Sequence, residues 1–399
     1  MACKILLSTT VSWTSTARHA SGFALAGCEV EALAPARAPV TVSRYISRSY
    51  VHRSLSVAAS LRGAIRKARP DLVVSCDDRA VSNLLRLYES EPAGSEIARV
   101  IARSLGKPQQ YRSLMARETF LRNADELGIR VPETLPVTSR SALQAAIGAI
   151  GLPAVLKADG TWGGEGVSIV RTMEEALAAF SRLANPPGRL RSVARAMRRR
   201  DGHWLMSALA PSKRAISIQK FIAGRPAASA FAAWKGEVVS AVCYDVLSAD
   251  SSIGPPSVIR QIDCAEITRA TRLIAQHHGL SGLHGMDFIR DEAGHVHLIE
   301  INPRATQGGT LPFGAGRDVP AGLASCVMPT ARPRPAIAND AVVFFPGEWV
   351  RNPDNTIFQT AYHDVPDDDP MVLQACLKSA RAVPPGTVGR SGRNQPGHP

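Results

Sequence analysis

Three oxygen-bearing side chains, Asp287, Glu300 and Asn302, lie on two neighbouring apolar segments of the chain. Alternating apolar residues predict a strand over 286–290 and a returning strand over 295–301, joined as a hairpin. Glu300 and Asn302 project from one face because strand side chains alternate, and Asp287 joins them if the hairpin register allows. Two carboxylates and an amide oxygen form the oxygen-only type of site that Mg²⁺ or Mn²⁺ prefers.

Glu300 lies within the otherwise apolar run 298–301, where a carboxylate needs a cation or a strong partner to offset its desolvation. Arg304 follows closely and is a candidate partner, so a hairpin held by a structural Glu–Arg pair is the alternative interpretation. His295 and His297 share a face of the second strand. Since no third ligand is evident, we expect them to decorate the strand rather than to bind zinc.

A glycine-rich loop lies between two further predicted strands, 153–157 and 167–171. Glycines let the backbone turn its N–H groups toward phosphate oxygens without side-chain clashes. The loop is not a Walker A motif, because no Gly-Lys-Ser/Thr ends it and a strand follows instead of a helix. Lys157, on the strand that enters the loop, could reach phosphates below it. A structural hairpin turn remains the alternative.

The first 105 residues alternate predicted strands and helices, which indicates a small parallel sheet with helices on both faces. The first turn carries no G-x-G-x-x-G, so a dinucleotide-binding site is disfavoured. Asp77 and Asp78 directly follow a predicted strand, at the edge where open α/β sheets bind ligands. Capping of the next helix by an Asp is the alternative interpretation.

With these segments in hand, the chain resembles the ATP-grasp superfamily over about residues 1–330, in the manner of its carboxylate–amine ligases. It is similar to the ATP-grasp domain of the carbamoyl-phosphate synthase large subunit and to D-alanine–D-alanine ligase. The resemblance implies an α/β (α+β ATP-grasp) fold, with a parallel pre-ATP-grasp domain followed by a two-lobed ATP-grasp domain that has a glycine-loop lid.

The resemblance also implies boundaries for these parts. The expected ranges are 1–105 for the amino-terminal domain, 106–330 for the ATP-grasp domain, about 135–220 for its lid lobe, about 221–330 for its metal-binding lobe, 331–387 for a carboxy-terminal extension packed on the core and 388–399 for a disordered tail.

The resemblance implies an ATP site between the two lobes, with Mg²⁺ or Mn²⁺ held by the three oxygen-bearing side chains of the hairpin. Lys157 matches the lysine before the family's lid. Arg117 takes the place of an earlier basic residue that is usually Lys, a change of geometry at constant charge. Arg304 matches the Arg that holds phosphates or the acyl intermediate, so Arg304 and Lys157 are the candidate catalytic residues. The lid glycines expected at the phosphates are Gly163, Gly164 and Gly166.

The family's adenine hinge resembles residues 218–224, where the backbone at Lys220 and Ile222 would read the adenine edge. The ATP-binding residues implied for this hinge are Gln219, Lys220, Phe221 and Ile222. Gln219 stands where a Glu is common, and Pro226 stands where many members place a Glu on the ribose.

The activity implied by the resemblance is an ATP- and Mg²⁺-dependent ligase that forms C–N bonds. A substrate carboxylate would become an acyl phosphate, and an amine or similar nucleophile would then attack it. One alternative is a bicarbonate-activating enzyme similar to carbamoyl-phosphate synthase or biotin carboxylase. Another is a non-catalytic ATP-binding module, regulatory or RNA-associated, although retention of all three metal ligands argues against it.

The composition disfavours nucleic-acid binding, a disulfide framework and a zinc cluster. The net charge of +13 would suit nucleic acid, but aromatic residues make up only 5% and no nucleic-acid motif appears. The basic stretch 189–201 is interpreted as a solvated helix face, with recruitment of an acidic substrate or partner as the alternative. Seven widely spaced cysteines without CxxC disfavour a disulfide framework or a zinc cluster.

No apolar run approaches the roughly 20 residues that a membrane helix needs. The apolar part of the start is too short for a secretory signal. We therefore expect a cytoplasmic protein whose partners are small-molecule carboxylates and amines, with no membrane, with nucleic acid disfavoured and with a homodimer left open.

Overall fold

The computed structural model describes residues 3–159, 166–184, 215–249 and 254–381. The strands of these ranges form three sheets, two of four strands and one of seven. Gly163, Gly164, the basic stretch 189–201 and the tail 388–399 lie outside the described residues. Within the described ranges, no helix combines the length and the apolar character needed to cross a membrane.

The amino-terminal part alternates strands and helices: β1 (Lys4–Ser8), α1 (Thr14–Leu25), β2 (Glu29–Ala34), β3 (Arg48–Val51), α2 (Val57–Ala68), β4 (Leu72–Ser75), α3 (Asp78–Ser90) and α4 (Glu96–Leu105). The strands pair in parallel in the order β3-β2-β1-β4. Ile5 and Leu7 belong to a core shared with α1, whereas Leu6 belongs to one shared with α2 and α3. Helices therefore cover both faces of the sheet, as parallel strands require, and the predicted parallel α/β sheet is confirmed.

Two helices, α5 (Tyr111–Met115) and α6 (Arg117–Glu126), lead to the second sheet. That part consists of β5 (Thr134–Pro136), α7 (Arg140–Ile150), β6 (Ala154–Ala158), β7 (Val167–Val170), α8 (Met173–Ala184) and β8 (Ile216–Lys220). Its strands are antiparallel in the order β5-β8-β6-β7. Leu143, Leu156 and Ile218 are buried between the sheet and its helices. Because strand residues alternate, Lys157 and Ser217 project from the other face.

The third sheet is the largest. Its part of the chain contains β9 (Arg225–Trp234), β10 (Glu237–Ala249), β11 (Pro256–Ile262), α9 (Ala265–His278), β12 (Gly282–Arg290), β13 (Val296–Asn302), α10 (Val319–Ser325), β14 (Ala341–Phe344), α11 (Gly347–Arg351), β15 (Tyr362–Asp364) and α12 (Pro370–Arg381). The order is β13-β12-β9-β10-β11-β14-β15, antiparallel except for β14 with β15. The predicted hairpin therefore forms one end of this sheet.

The parallel sheet and the hairpin are joined through backbone hydrogen bonds. Ala305 N–H, just past β13, donates to the Ser75 carbonyl at the end of β4 over 2.9 Å. Ser281 N–H, just before β12, donates to the Leu105 carbonyl at the end of α4 over 3.0 Å. The carboxyl edge of the parallel sheet is consequently fixed against the end of the hairpin that carries the predicted metal ligands.

Three histidines are buried in this framework as neutral side chains. Burial is the main cause that lowers the pKa of His19, His278 and His284 to about 4 each. His284 Nε2 lies 2.9 Å from the Ser281 carbonyl oxygen, which a neutral Nε2–H tautomer can satisfy as a donor. Protonation of any of the three would place an uncompensated charge in the core.

These histidines predict a loss of stability in mild acid. Their ordinary pKa is near 6.5, so between about pH 6.5 and 4 the unfolded chain binds more protons than the native one. The free energy of unfolding should be fully retained above about pH 6.5. Below that pH it should fall by up to about 1.4 kcal/mol per pH unit for each histidine. Urea unfolding followed by fluorescence at pH 7.5, 6.0 and 5.0 measures this slope.

His284→Gln keeps a donor for the Ser281 carbonyl and removes one titrating group, so the slope should become shallower. His295→Gln, at an exposed position in the hairpin turn, serves as the matched control and should leave most of the slope intact. Equal slopes for wild type and His284→Gln would show that buried histidine does not cause the acid sensitivity.

Candidate active site

The hairpin brings its two carboxylates together through an irregularity in its pairing. Asp287 lies directly opposite Glu300, but Phe288 lies opposite Leu298, so Ile299 is an extra residue on β13. Such a bulge shifts the alternation of side chains by one. As a result, Leu298 stays in the core while Glu300 faces the open side of the sheet together with Asp287.

Small neighbours leave room above the carboxylates. Asp287 lies opposite Ala228 on β9, and Gly285 lies between Ala230 and Asn302 in the sheet register. A Cβ atom on Gly285 would come within 2.5 Å of the Thr306 side chain. Glycine at this position therefore lets residues 305–306 fold closely over the end of the hairpin.

The electrostatics of the pair fit a cation. Burial, and then repulsion from Glu300, raise the pKa of Asp287 well above its ordinary range. Burial also acts to raise the pKa of Glu300, but the charges of Arg117 and Lys157 outweigh it and lower that pKa. Asn302 Nδ2 donates to Asp287 Oδ2 over 2.9 Å. Two adjacent, half-buried carboxylates suit Mg²⁺ or Mn²⁺, which would remove the repulsion that this pair carries. The Asn302 amide oxygen accepts from Arg304 Nη2 in this structure.

Lys157 projects from β6 toward this pair. Its side chain is buried, and burial lowers the pKa of its ammonium to about 8, against the attraction of Glu300. Among the described residues, the side-chain ammonium of Lys157 has no hydrogen-bond or ion-pair partner, whereas its backbone pairs within the sheet. The hydroxyl of Ser217, the cross-strand neighbour of Lys157, is also buried without a partner in the described part of the chain. Such donors are suited to an anion that enters from outside.

Arg117 connects the second sheet to the hairpin. Its Nη1 donates to Asp159 Oδ1 over 2.9 Å, and its Nη2 donates to Glu300 Oε2 over 3.0 Å. Arg117 is the first residue of α6, whereas Asp159 directly follows β6. One guanidinium thus holds a lid-side carboxylate and a hairpin carboxylate at the same time, and its side chain remains only 15% exposed.

Arg304 occupies the other side of the hairpin end. Its Nη2 donates to Asn302 Oδ1 over 2.9 Å, and its Nε donates to Asp78 Oδ2 over 3.0 Å. Its guanidinium carbon lies 5.5 Å from the centroid of the Trp13 ring. The proposed Glu300–Arg304 pair is therefore not formed. Arg117 contacts Glu300 instead, because Arg304 turns toward the amino-terminal sheet.

The predicted hinge follows β8. Gln219 is buried, and its Nε2 donates to Thr134 Oγ1 over 3.1 Å, so its side chain holds β5 and β8 together. Lys220 is exposed, whereas Phe221 and Ile222 are half-buried. The Ile222 N–H has no acceptor within the described ranges and can donate to a ligand. A Cβ atom on Gly224 would lie 2.2 Å from the Arg290 carbonyl oxygen, so glycine is needed where the hinge passes the hairpin.

The structure thus brings Lys157, Arg117 and Arg304 near the predicted metal ligands. Gly166 directly precedes β7, where its carbonyl accepts from the Ala158 N–H. Gly163 and Gly164 lie outside the described residues. Of the two acidic residues at the end of β4, Asp77 caps α3 through the Ala80 N–H over 2.9 Å, which is the capping interpretation. Asp78 instead points into the site.

Two site residues were not found from the sequence. Asp159 follows Lys157 by two positions, so strand alternation would have placed both on one face. Trp13 gives no comparable signal, because its position over Arg304 depends on how the parallel sheet docks against the hairpin. His295 and His297 both contact Asp291 at the hairpin turn, with Nε2 of His297 at 2.9 Å from Oδ2.

Comparison with other proteins identifies structures of the same fold but no relative by sequence. No protein-family model matches the chain, and no curated protein matches it. Solved structures do match over most of its length. One is N5-carboxyaminoimidazole synthetase from Staphylococcus aureus complexed with ADP, with 14% identity and a TM-score of 0.58, covering 84% of this chain and 79% of that one.

A second is the biotin carboxylase–β,γ-ATP complex from Campylobacter jejuni, with 15% identity, a TM-score of 0.59, and 84% and 72% coverage. A third is the biotin carboxylase domain dimer of Hydrogenobacter thermophilus 2-oxoglutarate carboxylase with MgADP, ADP and bicarbonate, with 15% identity, a TM-score of 0.60, and 84% and 71% coverage. These are ATP-grasp proteins. The chain has the ATP-grasp fold, and the expectation from the sequence is confirmed.

The double contact of Arg117 generates a stability prediction. Arg117→Gln leaves Asp159 and Glu300 without their shared cation, which should lower the free energy of unfolding by about 1–3 kcal/mol. Arg122→Gln, on the same helix, breaks only an exposed pair with Glu118 and should cost less than about 0.5 kcal/mol. Thermal unfolding at pH 7.5 compares the two variants with wild type. Equal losses would mean that Arg117 does not hold the two sheets together.

Proposed function

We propose that this chain is an ATP- and Mg²⁺-dependent ligase that activates a substrate carboxylate as an acyl phosphate and transfers the acyl group to an amine. The observation that carries the proposal is that the positive charges of Lys157, Arg117 and Arg304 surround the carboxylates of Asp287 and Glu300. The ATP-grasp fold supports the proposal, because several of the matched proteins were solved in complex with ADP, ATP or MgADP.

In this proposal the nucleotide lies between the second sheet and the hairpin. The adenine contacts the backbone at Lys220 and Ile222. The phosphates extend toward Lys157, whose buried ammonium gains its missing anionic partner and becomes more firmly protonated. Asp287, Glu300 and Asn302 would hold Mg²⁺, which would supply positive charge to offset that of the phosphates.

The first step forms a bond between a substrate carboxylate oxygen and the γ-phosphorus, while the bond from that phosphorus to the bridging oxygen of ADP breaks. Lys157 and Arg117 supply positive charge around the moving phosphoryl group. Arg304, at the amino-terminal side of the hairpin, holds the carboxylate in line. No side chain acts as a nucleophile, since positioning and charge suffice for phosphoryl transfer.

In the second step the amine nitrogen attacks the acyl carbon, the bond from that carbon to the phosphate oxygen breaks, and the leaving phosphate takes up the proton that the nitrogen loses. Water must be kept from the acyl phosphate during this interval, which is the role we assign to the glycine loop of the lid. Gly166 is the described end of that loop, where its carbonyl accepts from the Ala158 N–H over 2.9 Å.

Bicarbonate is a second candidate for the activated acid. One matched structure is a biotin carboxylase domain with bicarbonate bound. Bicarbonate would be phosphorylated next to the same three residues, Lys157, Arg117 and Arg304. A non-catalytic ATP-binding module is the remaining alternative. The retention of Asp287, Glu300 and Asn302 at one end of the hairpin favours catalysis over nucleotide binding alone. A cytoplasmic location and a homodimer remain part of the proposal.

The proposal predicts carboxylate-dependent release of ADP. Purified protein with ATP and Mg²⁺ should release ADP when pools of organic acids or bicarbonate are supplied with pooled amines. When the responding acid is labelled with ¹⁸O in its carboxylate, one label should appear in the released phosphate, as mass spectrometry can detect. This transfer follows because the attacking oxygen leaves with the phosphoryl group.

Glu300→Gln should lower the rate at least 100-fold, since it removes one charge from the carboxylate pair. Glu237→Gln, at an exposed position at the start of β10, is the matched control and should retain the rate. Tight ATP binding without ADP release for any acid would favour the non-catalytic module. ADP release without label in the phosphate would exclude the acyl phosphate.

A further inference from the structure

The end of the parallel sheet contributes a second, differently charged surface to the cleft. The loop after β1 carries Val11 and Trp13, and the start of α3 carries Asp78 and Arg79. Together with Asp77 these residues line a crevice beside Arg304 that is too narrow for a water molecule in this conformation. We infer that Trp13 and Asp78 form the subsite for the acceptor, and that the acceptor presents a cationic nitrogen there. This inference rests on the proposed ligase function.

Asp77 fixes the geometry of this surface. Its Oδ2 accepts from the Thr9 hydroxyl over 2.9 Å and from the Thr10 N–H over 2.6 Å, while its Oδ1 accepts from the Thr10 hydroxyl and the Ala80 N–H over 2.9 Å each. One buried carboxylate therefore joins the ends of β1 and β4. Since Asp77 caps the helix, the neighbouring Asp78 is left to face the cleft.

The contacts of Arg304 indicate that this surface binds a cationic group. Its guanidinium donates to Asp78 and lies 5.5 Å from the centroid of the Trp13 ring, within the range of a cation–π interaction. A carboxylate beside an aromatic face is a binding site for a cation, and here a cation of the chain itself occupies it. Trp13 remains 36% exposed, so part of the ring is open to a ligand.

The same guanidinium also contacts the opposite side of the cleft, where its Nη2 donates to Asn302 Oδ1. In the proposed reaction Arg304 holds the carboxylate or acyl phosphate next to Asn302. Engagement of Arg304 on that side weakens its hold on Asp78. Asp78 and the Trp13 face then become available to an ammonium or guanidinium group of the acceptor, which replaces the charge that Arg304 withdraws.

Arg304 thereby separates the two substrates by charge. The acid lies on its Asn302 side, and the cationic acceptor lies on its Asp78 side. Each substrate improves the site for the other, because the acid draws Arg304 away and the acceptor compensates Asp78. An anionic acceptor held by Arg304 and Arg79 is the competing possibility, and it would be bound less well in the presence of the acid.

The test uses an acyl-trapping reaction that does not require the acceptor. Wild-type protein, ATP, Mg²⁺ and the acid with the largest ADP release are incubated with hydroxylamine, which displaces phosphate from an acyl phosphate to give a hydroxamate. Putrescine and agmatine are the cationic probes, 1,4-butanediol is the neutral isostere and glycerol phosphate is the anionic probe. The readout is the concentration of each probe that halves hydroxamate formation, so it does not depend on the absolute rate.

Putrescine and agmatine should suppress hydroxamate at concentrations at least tenfold lower than the diol or glycerol phosphate. Asp78→Asn and Trp13→Ala should each raise the half-suppressing concentration of the cations at least tenfold. Trp13→Phe, which keeps an aromatic face, should raise it less than threefold. Asp354→Asn, at an exposed position, is the matched control and should leave it unchanged.

The outcomes distinguish the two proposals. Hydroxamate with cation suppression that Asp78→Asn does not alter overturns the acceptor subsite and leaves the ligase function standing. Stronger suppression by glycerol phosphate than by the cations overturns the subsite in favour of an anionic acceptor. No hydroxamate from wild type with any acid overturns the ligase function, and the subsite with it.

Discussion

The arrangement of this protein depends on the repulsion between Asp287 and Glu300. Two half-buried carboxylates on the same face of adjacent strands repel each other, and compensation is needed for both to remain charged. The chain surrounds them with Arg117, Lys157 and Arg304, each delivered by a different part of the fold. Arg117 comes from the helix that precedes the second sheet, Lys157 from that sheet, and Arg304 from the segment that docks on the parallel sheet. A divalent cation would be the most direct compensation.

The same constraint explains how the sheets are joined. The bulge at Ile299 lets Glu300 turn away from the core without moving Leu298 out of it. Gly285 permits residues 305–306 to lie close over the hairpin, so that Ala305 can pair with Ser75 of the parallel sheet. Arg304 directly precedes Ala305. Its two hydrogen bonds, one to Asn302 and one to Asp78, couple the metal end of the hairpin to the amino-terminal sheet.

The local pattern of apolar and polar residues in the sequence was sufficient to predict several elements of the fold and of the site. The alternation over 286–290 and 295–301 predicted the hairpin, and the apolar strands with intervening helices predicted the parallel sheet. Lys157 followed from its place before the glycines. Strict alternation also placed Glu300 with Asn302, but it would have placed Leu298 with them too. The bulge that resolves this conflict inserts one residue into the register, and no residue type along β13 marks it.

The side-chain contacts between segments far apart in the chain could not be predicted from the sequence. Arg304 was expected near Glu300, which is close in the chain, yet it lies on Asp78 and Arg117 takes the Glu300 contact over a separation of 183 residues. Which arginine reaches which carboxylate depends on how three sheets dock. Trp13 was missed for the same reason, and Gln219 was expected at the nucleotide although its side chain pairs with Thr134 inside the second sheet. Its backbone role at the hinge remains a proposal.

The central claim is that Asp287 and Glu300 hold a divalent cation for ATP. The most direct measurement is anomalous diffraction from crystals grown with Mn²⁺ and a non-hydrolysable ATP analogue. We predict one anomalous peak within about 2.2 Å of a carboxylate oxygen of both Asp287 and Glu300, with phosphate oxygens of the analogue completing its coordination. A bound analogue with no peak between these carboxylates, or with Mn²⁺ elsewhere, would contradict the account.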